Sequence, residues 1–207
     1  GISSGGLSRT VQAQFILKAL ILSPNHLFRT EIGQGQTNGI FRLTHYEVAS
    51  LLSFAAWDSP PDATLLSLAE QNRLHDVNVL KQQVARLTSD SRFNQKLTTF
   101  IVDLLKIEDI RTIRKDSSFN ITNAERQALY QSAQRSIASA YTDASADLFA
   151  PFNMTQFLVN NQTSRFMSGG STSQYSPIAL NQSERYGVLS HPAFLTSIAG
   201  EISTGIV

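Results

Sequence analysis

The side chains best suited to proton transfer or metal ligation are four histidines: His26, His45, His75 and His191. None falls in His-x-x-x-His or Glu-x-x-His spacing, so a zinc site borne on one helix is not expected. His45 stands in the first turn of an expected helix, where the dipole disfavours an imidazolium. His191 precedes Pro192 and is either a ligand nitrogen or a structural ring. Arg29 and Glu31 occupy alternate positions of an expected strand and would point to one side. They would form an ion pair that fixes a hairpin, or face a ligand. Trp57, with Tyr46 and Phe54, offers a stacking surface or a piece of core. Asp58, Asp62 and Glu47 are better explained as caps and turn formers than as an acid–base pair. Asp143 to Asp147 lacks the glycine and distal glutamate of a calcium loop. There is no Gly-x-Ser-x-Gly elbow and no Ser-x-x-Lys motif. No catalytic constellation is visible.

The elements that must hold these residues follow from composition and period. Of 207 residues, 42% are hydrophobic, which suffices for an ordinary core. Only 16% are charged, and Ser, Thr, Asn and Gln fill the surface instead. The net charge is +1. The densest basic cluster, Arg111, Arg114 and Lys115, is diluted by Glu108, Asp109 and Asp116, so nucleic acid is not an expected partner. The absence of cysteine removes disulfides, thiolate metal sites, thiol nucleophiles and covalent haem attachment within this chain. Phe15 to Leu22 is apolar but far shorter than the roughly 20 residues of a bilayer span, so membrane insertion is not expected.

The expected fold class is mainly α: a bundle of about six to seven helices with one small β-hairpin near residues 26–43. Residues 7–22 read as a first helix, apolar on most sides and so central. Strands are expected at 26–32 and 39–43, around the glycine-rich turn 33–39. Thr44 and Glu47 form a capping box, followed by a helix to Trp57 with Val48, Leu51, Leu52 and Ala55 on one face. Pro60 and Pro61 forbid its continuation. Further helices are expected at 62–71, after Asp76 with Val77, Leu80, Val84 and Leu87 inward, and after a cap at Asp90 or Ser89 with Leu97, Phe100, Ile101, Leu104 and Leu105 inward. Residues 107–121 read as an irregular charged connection. A second capping box, Thr122 with Glu125, opens a helix with Ala128, Leu129, Ala133, Ile137 and Ala140 inward. The domain expectation is a helical body over 1–159, a polar linker over 160–184 and the truncated beginning of a second module over 185–207.

Several phrases also fall in the order and spacing of one family. They are Ser23-Pro24, Leu27-Phe28-Arg29-Thr30-Glu31, Leu43-Thr44-His45-Tyr46-Glu47-Val48-Ala49, Ala56-Trp57-Asp58-Ser59-Pro60-Pro61-Asp62, and Arg185 to Ser190. The chain resembles bacterial proteins carrying domain of unknown function 1592 followed by domain of unknown function 1588. Ser53-Phe54-Ala55-Ala56-Trp57 departs from the family's usual central-helix phrase. The resemblance implies a piece of a larger exported protein, periplasmic or extracellular, whose relatives often carry c-type haem domains. It assigns no catalytic residues.

The function expected is a non-catalytic helical module of a c-type-cytochrome-associated redox protein, acting in domain positioning or partner binding. Its partners would be other domains or subunits of that protein. Haem c would sit in neighbouring domains, with no cofactor in this chain. The candidate binding residues are His191, Arg185, Arg29, Glu31 and Trp57, with His191 able to offer an axial nitrogen to a neighbour's haem. One alternative is part of an enzyme acting on polysaccharide or its oxidation products, with a cleft lined by Trp57, Arg29, Glu31 or His191. Another is an extracellular adhesion or assembly module contacting through residues 160–184.

Overall fold

The computed structural model describes residues 8–24, 28, 31–116, 119–143, 146–167, 169 and 172–199, excepting the side chains of 36 and 37. Seven α-helices and two small antiparallel two-stranded sheets make up the regular structure of these residues, in two units, Gly1–Leu87 and Thr88–Val207. The mainly α expectation holds.

In the first unit α1 spans Arg9–Ile21, with the Ser8 hydroxyl at its start. None of its residues is buried: Phe15, Ile16, Leu17, Leu20 and Ile21 are all exposed, as is Leu22 beyond it. This corrects the expectation of a central helix. A helix apolar all round has no polar face to turn to water, yet the buried residues of this unit come from other segments.

Strands β1 (Gln34–Thr37) and β2 (Ile40–Arg42) form the hairpin. Asn38 and Gly39, with φ of 53° and 79°, make the two-residue turn. Positive φ at both central positions suits the twist of the flanking strands. The hairpin is therefore tighter than expected, and Ile32 lies ahead of it. Arg29 and most of the expected first strand lie outside the described residues, as does His26.

Helix α2 (His45–Trp57) begins with the predicted box. Thr44 Oγ1 accepts from Glu47 N at 3.2 Å, and Thr44 N donates to Glu47 Oε2 at 2.7 Å. Its buried face is Ala49, Ser53, Ala56 and Trp57, not Val48, Leu51, Leu52 and Ala55. Small residues let α2 approach α3 (Ala63–Glu70), which buries Leu65 and Ala69. The Ser53 hydroxyl is within hydrogen-bonding distance of two carbonyls, Ser59 O at 2.7 Å and Pro60 O at 2.9 Å, and so holds the proline loop against the helix. Asp62 caps α3 through Leu65 N at 2.9 Å. In α4 (Val77–Thr88) the buried residues are Val79 and Leu87, whereas Val77 and Val84 are exposed.

The second unit is built on α5 (Ser91–Leu104), a 3-10 turn at Ile107–Arg111, and α6 (Asn123–Ala140). Thr98, Ile101 and Val102 are the buried residues of α5, while Phe100 and Leu104 face solvent. The connection read as irregular places Ile107 and Ile110 wholly in the core. Helix α6 buries Ala128, Leu129, Ser132, Ala133, Ser136 and Ile137. Against it lies β3 (Gln156–Val159), paired with β4 (Ser176–Ala179), and α7 (Pro192–Ile198) packs on α6 and on the 3-10 turn. Strand β4 falls within the stretch expected to be linker. Residues 200–207, the end of the stretch expected to begin a second module, lie outside the described residues.

Two serines replace a third strand. Leu158 lies opposite Pro177, which has no N–H to give. Its own amide donates to Ser136 Oγ at 2.8 Å, and its carbonyl accepts from Ser132 Oγ at 2.6 Å. The far edge of β3 is thereby satisfied by α6.

Candidate functional site

The second unit contains a cleft of about 340 Å³ lined by two arginines, Arg165 and Arg185, with Phe166, Met167, Ile178 and Leu180 among its apolar walls. Its far wall is β4, and its near wall is the turn 160–167. That turn is a closed knot of hydrogen bonds: Asn160 N donates to Thr163 Oγ1 at 3.0 Å, Thr163 N to Asn160 Oδ1 at 3.2 Å, and Thr163 Oγ1 to Asn160 O at 2.9 Å. The Asn160 and Thr163 side chains are buried, so these bonds anchor a turn whose outer residues, Asn161, Gln162, Ser164 and Arg165, are exposed.

Arg185 enters from the opposite side. Asn181 starts a turn in which the amides of Glu184 and Arg185 both donate to its carbonyl at 2.9 Å. Gly187 then fixes the exit. Its φ is +64°, and an added Cβ would stand 2.0 Å from Phe152 O. Gly187 N donates to Met154 O at 3.0 Å. The chain can press against residues 152–154 only because position 187 has no side chain.

The two arginines are used differently. Arg165 Nε pairs with Glu125 Oε1 at 3.3 Å, its Nη2 donates to Asn120 O at 2.8 Å, and its guanidinium lies 4.7 Å from the Phe166 ring centre. Arg185 Nη2 donates to Phe166 O at 3.1 Å, while its Nη1 is buried and has no hydrogen-bond partner among the described residues. A buried guanidinium nitrogen without an acceptor is costly, by roughly 1–3 kcal/mol or more for a charged group.

His191 stands behind this wall and is wholly buried. Its Nδ1 accepts from Ala193 N at 3.1 Å, capping α7 at Pro192. That bond puts the ring proton on Nε2, which donates to Ser132 Oγ at 3.1 Å, and Ser132 in turn donates to Leu158 O. The Phe157 ring packs edge-on at 4.6 Å. Burial first, and the Arg185 charge second, push the imidazole down to about 3, so it is neutral at any ordinary pH. Both nitrogens are committed. An axial bond to iron would have to displace one of these partners.

The remaining candidates do not join this site. Trp57, in the first unit, is buried; its Nε1 donates to Leu87 O at 3.0 Å and the Arg86 guanidinium lies 5.5 Å from its ring centre. Glu31 is exposed. Also in the first unit, His45 and His75 stack with ring centres 3.8 Å apart beside Arg42, Tyr46 and Asn72, in a groove of about 400 Å³. His45 Nδ1 accepts from Leu74 N at 3.1 Å, and His75 Nε2 donates to Leu43 O at 2.9 Å. Desolvation first, then the neighbouring His75 and Arg42, lower the affinity of His45 for a proton. Reading the sequence missed this pair, because 30 residues separate the two rings and no local motif links them. Among the described residues, no group of three or more His, Asp or Glu side chains could hold a metal ion, and no helix is long and apolar enough to cross a membrane.

No curated protein and no solved structure matches the chain. Residues 43–167 match the model of the family described as "Protein of unknown function (DUF1592)". That span runs from the capping box of α2 to the turn that receives Arg185, well over half of the chain, and the chain belongs to this family.

Proposed function

We propose that the chain is a non-catalytic helical module of a larger exported, c-type-cytochrome-associated redox protein, in which it binds or positions a neighbouring domain or subunit. Helix α1 carries this reading. Six large apolar residues between Phe15 and Leu22 lie in the open, each 48–68% exposed. Contiguous apolar surface of that kind marks an interface with another protein surface. Its location would be periplasmic or extracellular, and haem c would belong to the neighbour.

The enzyme alternative called for a cleft lined by Trp57, Arg29, Glu31 or His191. Trp57 and His191 belong to different units, each is buried, and each has its ring nitrogens spent on hydrogen bonds of the core.

Two measurements test the proposal. The encoding gene should specify a Cys-x-x-Cys-His haem site in the same protein or its partner; a gene product without one removes the redox part. The haem-bearing domain should bind the chain, and Leu17→Glu with Leu20→Glu should weaken binding about tenfold or more. Undiminished binding by a folded double variant would remove α1 from the interface.

A further inference from the structure

We propose that the cleft between Arg165 and Arg185 is a binding site for a monocarboxylate with a small apolar body, whose carboxylate takes the open valence of Arg185 Nη1. This goes beyond the partner-binding reading, which rests on a different unit and a different surface. The first support is the buried nitrogen itself. Nη2 is held by Phe166 O, yet Nη1 is shut off from water without an acceptor. A charged donor so placed calls for an acceptor. The second is room. The cleft is about 340 Å³, some tenfold larger than the roughly 30 Å³ of one water.

The third support is the match of charge and surface. Arg165 is paired with Glu125, and Arg185 has no ion-pair partner at its buried Nη1 among the described residues, so the inner end of the site holds one cation, with Glu184 on the exposed rim. Phe166, Met167, Ile178 and Leu180 offer contact to an apolar body, not to a multiply charged phosphate. Glu184, exposed on the rim, adds repulsion against dianions. Planar carboxylates are also the preferred partners of the guanidinium fork. Because Nη1 is closed to solvent, entry involves adjustment of a lining side chain. The carboxylate could be that of a free small acid or of a peptide chain end.

The test titrates the full chain with benzoate, benzamide, inorganic phosphate, and an acetylated phenylalanine-ended tripeptide as free acid and as amide. Binding is read by calorimetry and by the Arg185 side-chain NMR signal. Benzoate should bind about tenfold or more tighter than benzamide, and Arg185→Gln should remove that preference. Glu184→Gln, at an exposed position, should tighten benzoate about two- to fivefold without affecting benzamide. Should Arg185→Gln fail to fold, the Glu184→Gln result and the Arg185 signal decide. Equal binding of benzoate and benzamide overturns the proposal. So does tighter binding of phosphate, or benzoate binding unchanged in a folded Arg185→Gln variant. A preference for the peptide acid over its amide assigns a chain end, and benzoate binding without it assigns a free acid; either outcome supports the site.

Discussion

His191 Nε2 lies 3.1 Å from Ser132 Oγ, inside the core, and this contact joins the last helix of the described chain to α6 and the edge of β3. The proton order along it is fixed from one end. The Ala193 amide occupies Nδ1, so Nε2 must carry the hydrogen, and the serine must pass its own to Leu158 O.

Protonation of His191 would break this order, which gives the second unit an acid sensitivity. Its folded pKa is lowered from 6.5 to about 3. The contribution to stability is therefore complete above 6.5 and is lost as pH falls toward 3. Between these limits the loss should approach about 1.4 kcal/mol per pH unit. Denaturant midpoints followed by the circular dichroism of α6 should fall across pH 6 to 4.5. His191→Asn, which keeps a cap acceptor but does not titrate, should flatten that dependence.

Gly187→Ala should be among the most damaging single changes in the second unit. The added Cβ would meet Phe152 O at 2.0 Å with φ at +64°. A loss of about 3–5 kcal/mol is expected. Gly39→Ala provides the contrast. It also has positive φ, +79°, but meets nothing within 4 Å, so about 1–2 kcal/mol is expected. Thermal melts of both variants check the difference.

Glu47 ties the approach to the hairpin onto α2. Its carboxylate accepts from Thr44 N at 2.7 Å, Ile32 N at 2.7 Å and Gly33 N at 3.0 Å. The Thr44 amide above all holds it down to about 2, although partial burial pushes the other way. A lowered carboxylate stabilises fully above 4.5 and ceases to as pH falls through 2. Trp57 is the sole tryptophan and lies in the same unit, so its fluorescence reads this unit. Glu47→Gln should lower the unfolding free energy read by fluorescence at pH 7 by about 1–3 kcal/mol, and the variant should lose less on acidification.

Asp62 does two jobs that a pair of substitutions separates. It caps α3 through Leu65 N and pairs with Arg86, Nη1 to Oδ2 at 2.7 Å and Nη2 to Oδ1 at 3.2 Å. Asp62→Asn keeps the cap and should cost under about 1 kcal/mol, since the pair is partly exposed. Asp62→Ala should cost about 1 kcal/mol more. Equal losses would show that the cap contributes nothing.

What the sequence made legible was local. Both hydroxyl–carboxylate boxes and the caps at Asp62 and Asp90 need only three residues of context, and each forms as read. The inward face of α2 was misjudged, and in α4 and α5 Leu87, Leu97, Ile101 and Leu105 turn inward as read while Val77, Val84, Phe100 and Leu104 do not, because every large apolar residue was taken as inward. In α2 the close approach of α3 selects Ala49, Ser53 and Ala56 instead. Strand β4 was illegible for a related reason: a proline inside a polar stretch argues against a strand, and the partner that makes it one, β3, lies some twenty residues earlier and is itself held by Ser132 and Ser136 on α6. Arg185 stood out by its motif. Its open nitrogen depends on where the carbonyl of Phe166 falls, which no spacing rule reveals.

The meeting of Ser132, Leu158 and His191 also bears on synthesis. A nascent chain leaves the ribosome from its amino end, so α6 and β3 emerge well before the imidazole that completes their shared bond. Until residue 191 is clear of the exit tunnel, Ser132 lacks its second partner and the groove for α7 stays open. Folding of this half during translation should thus finish late, in a single final docking step.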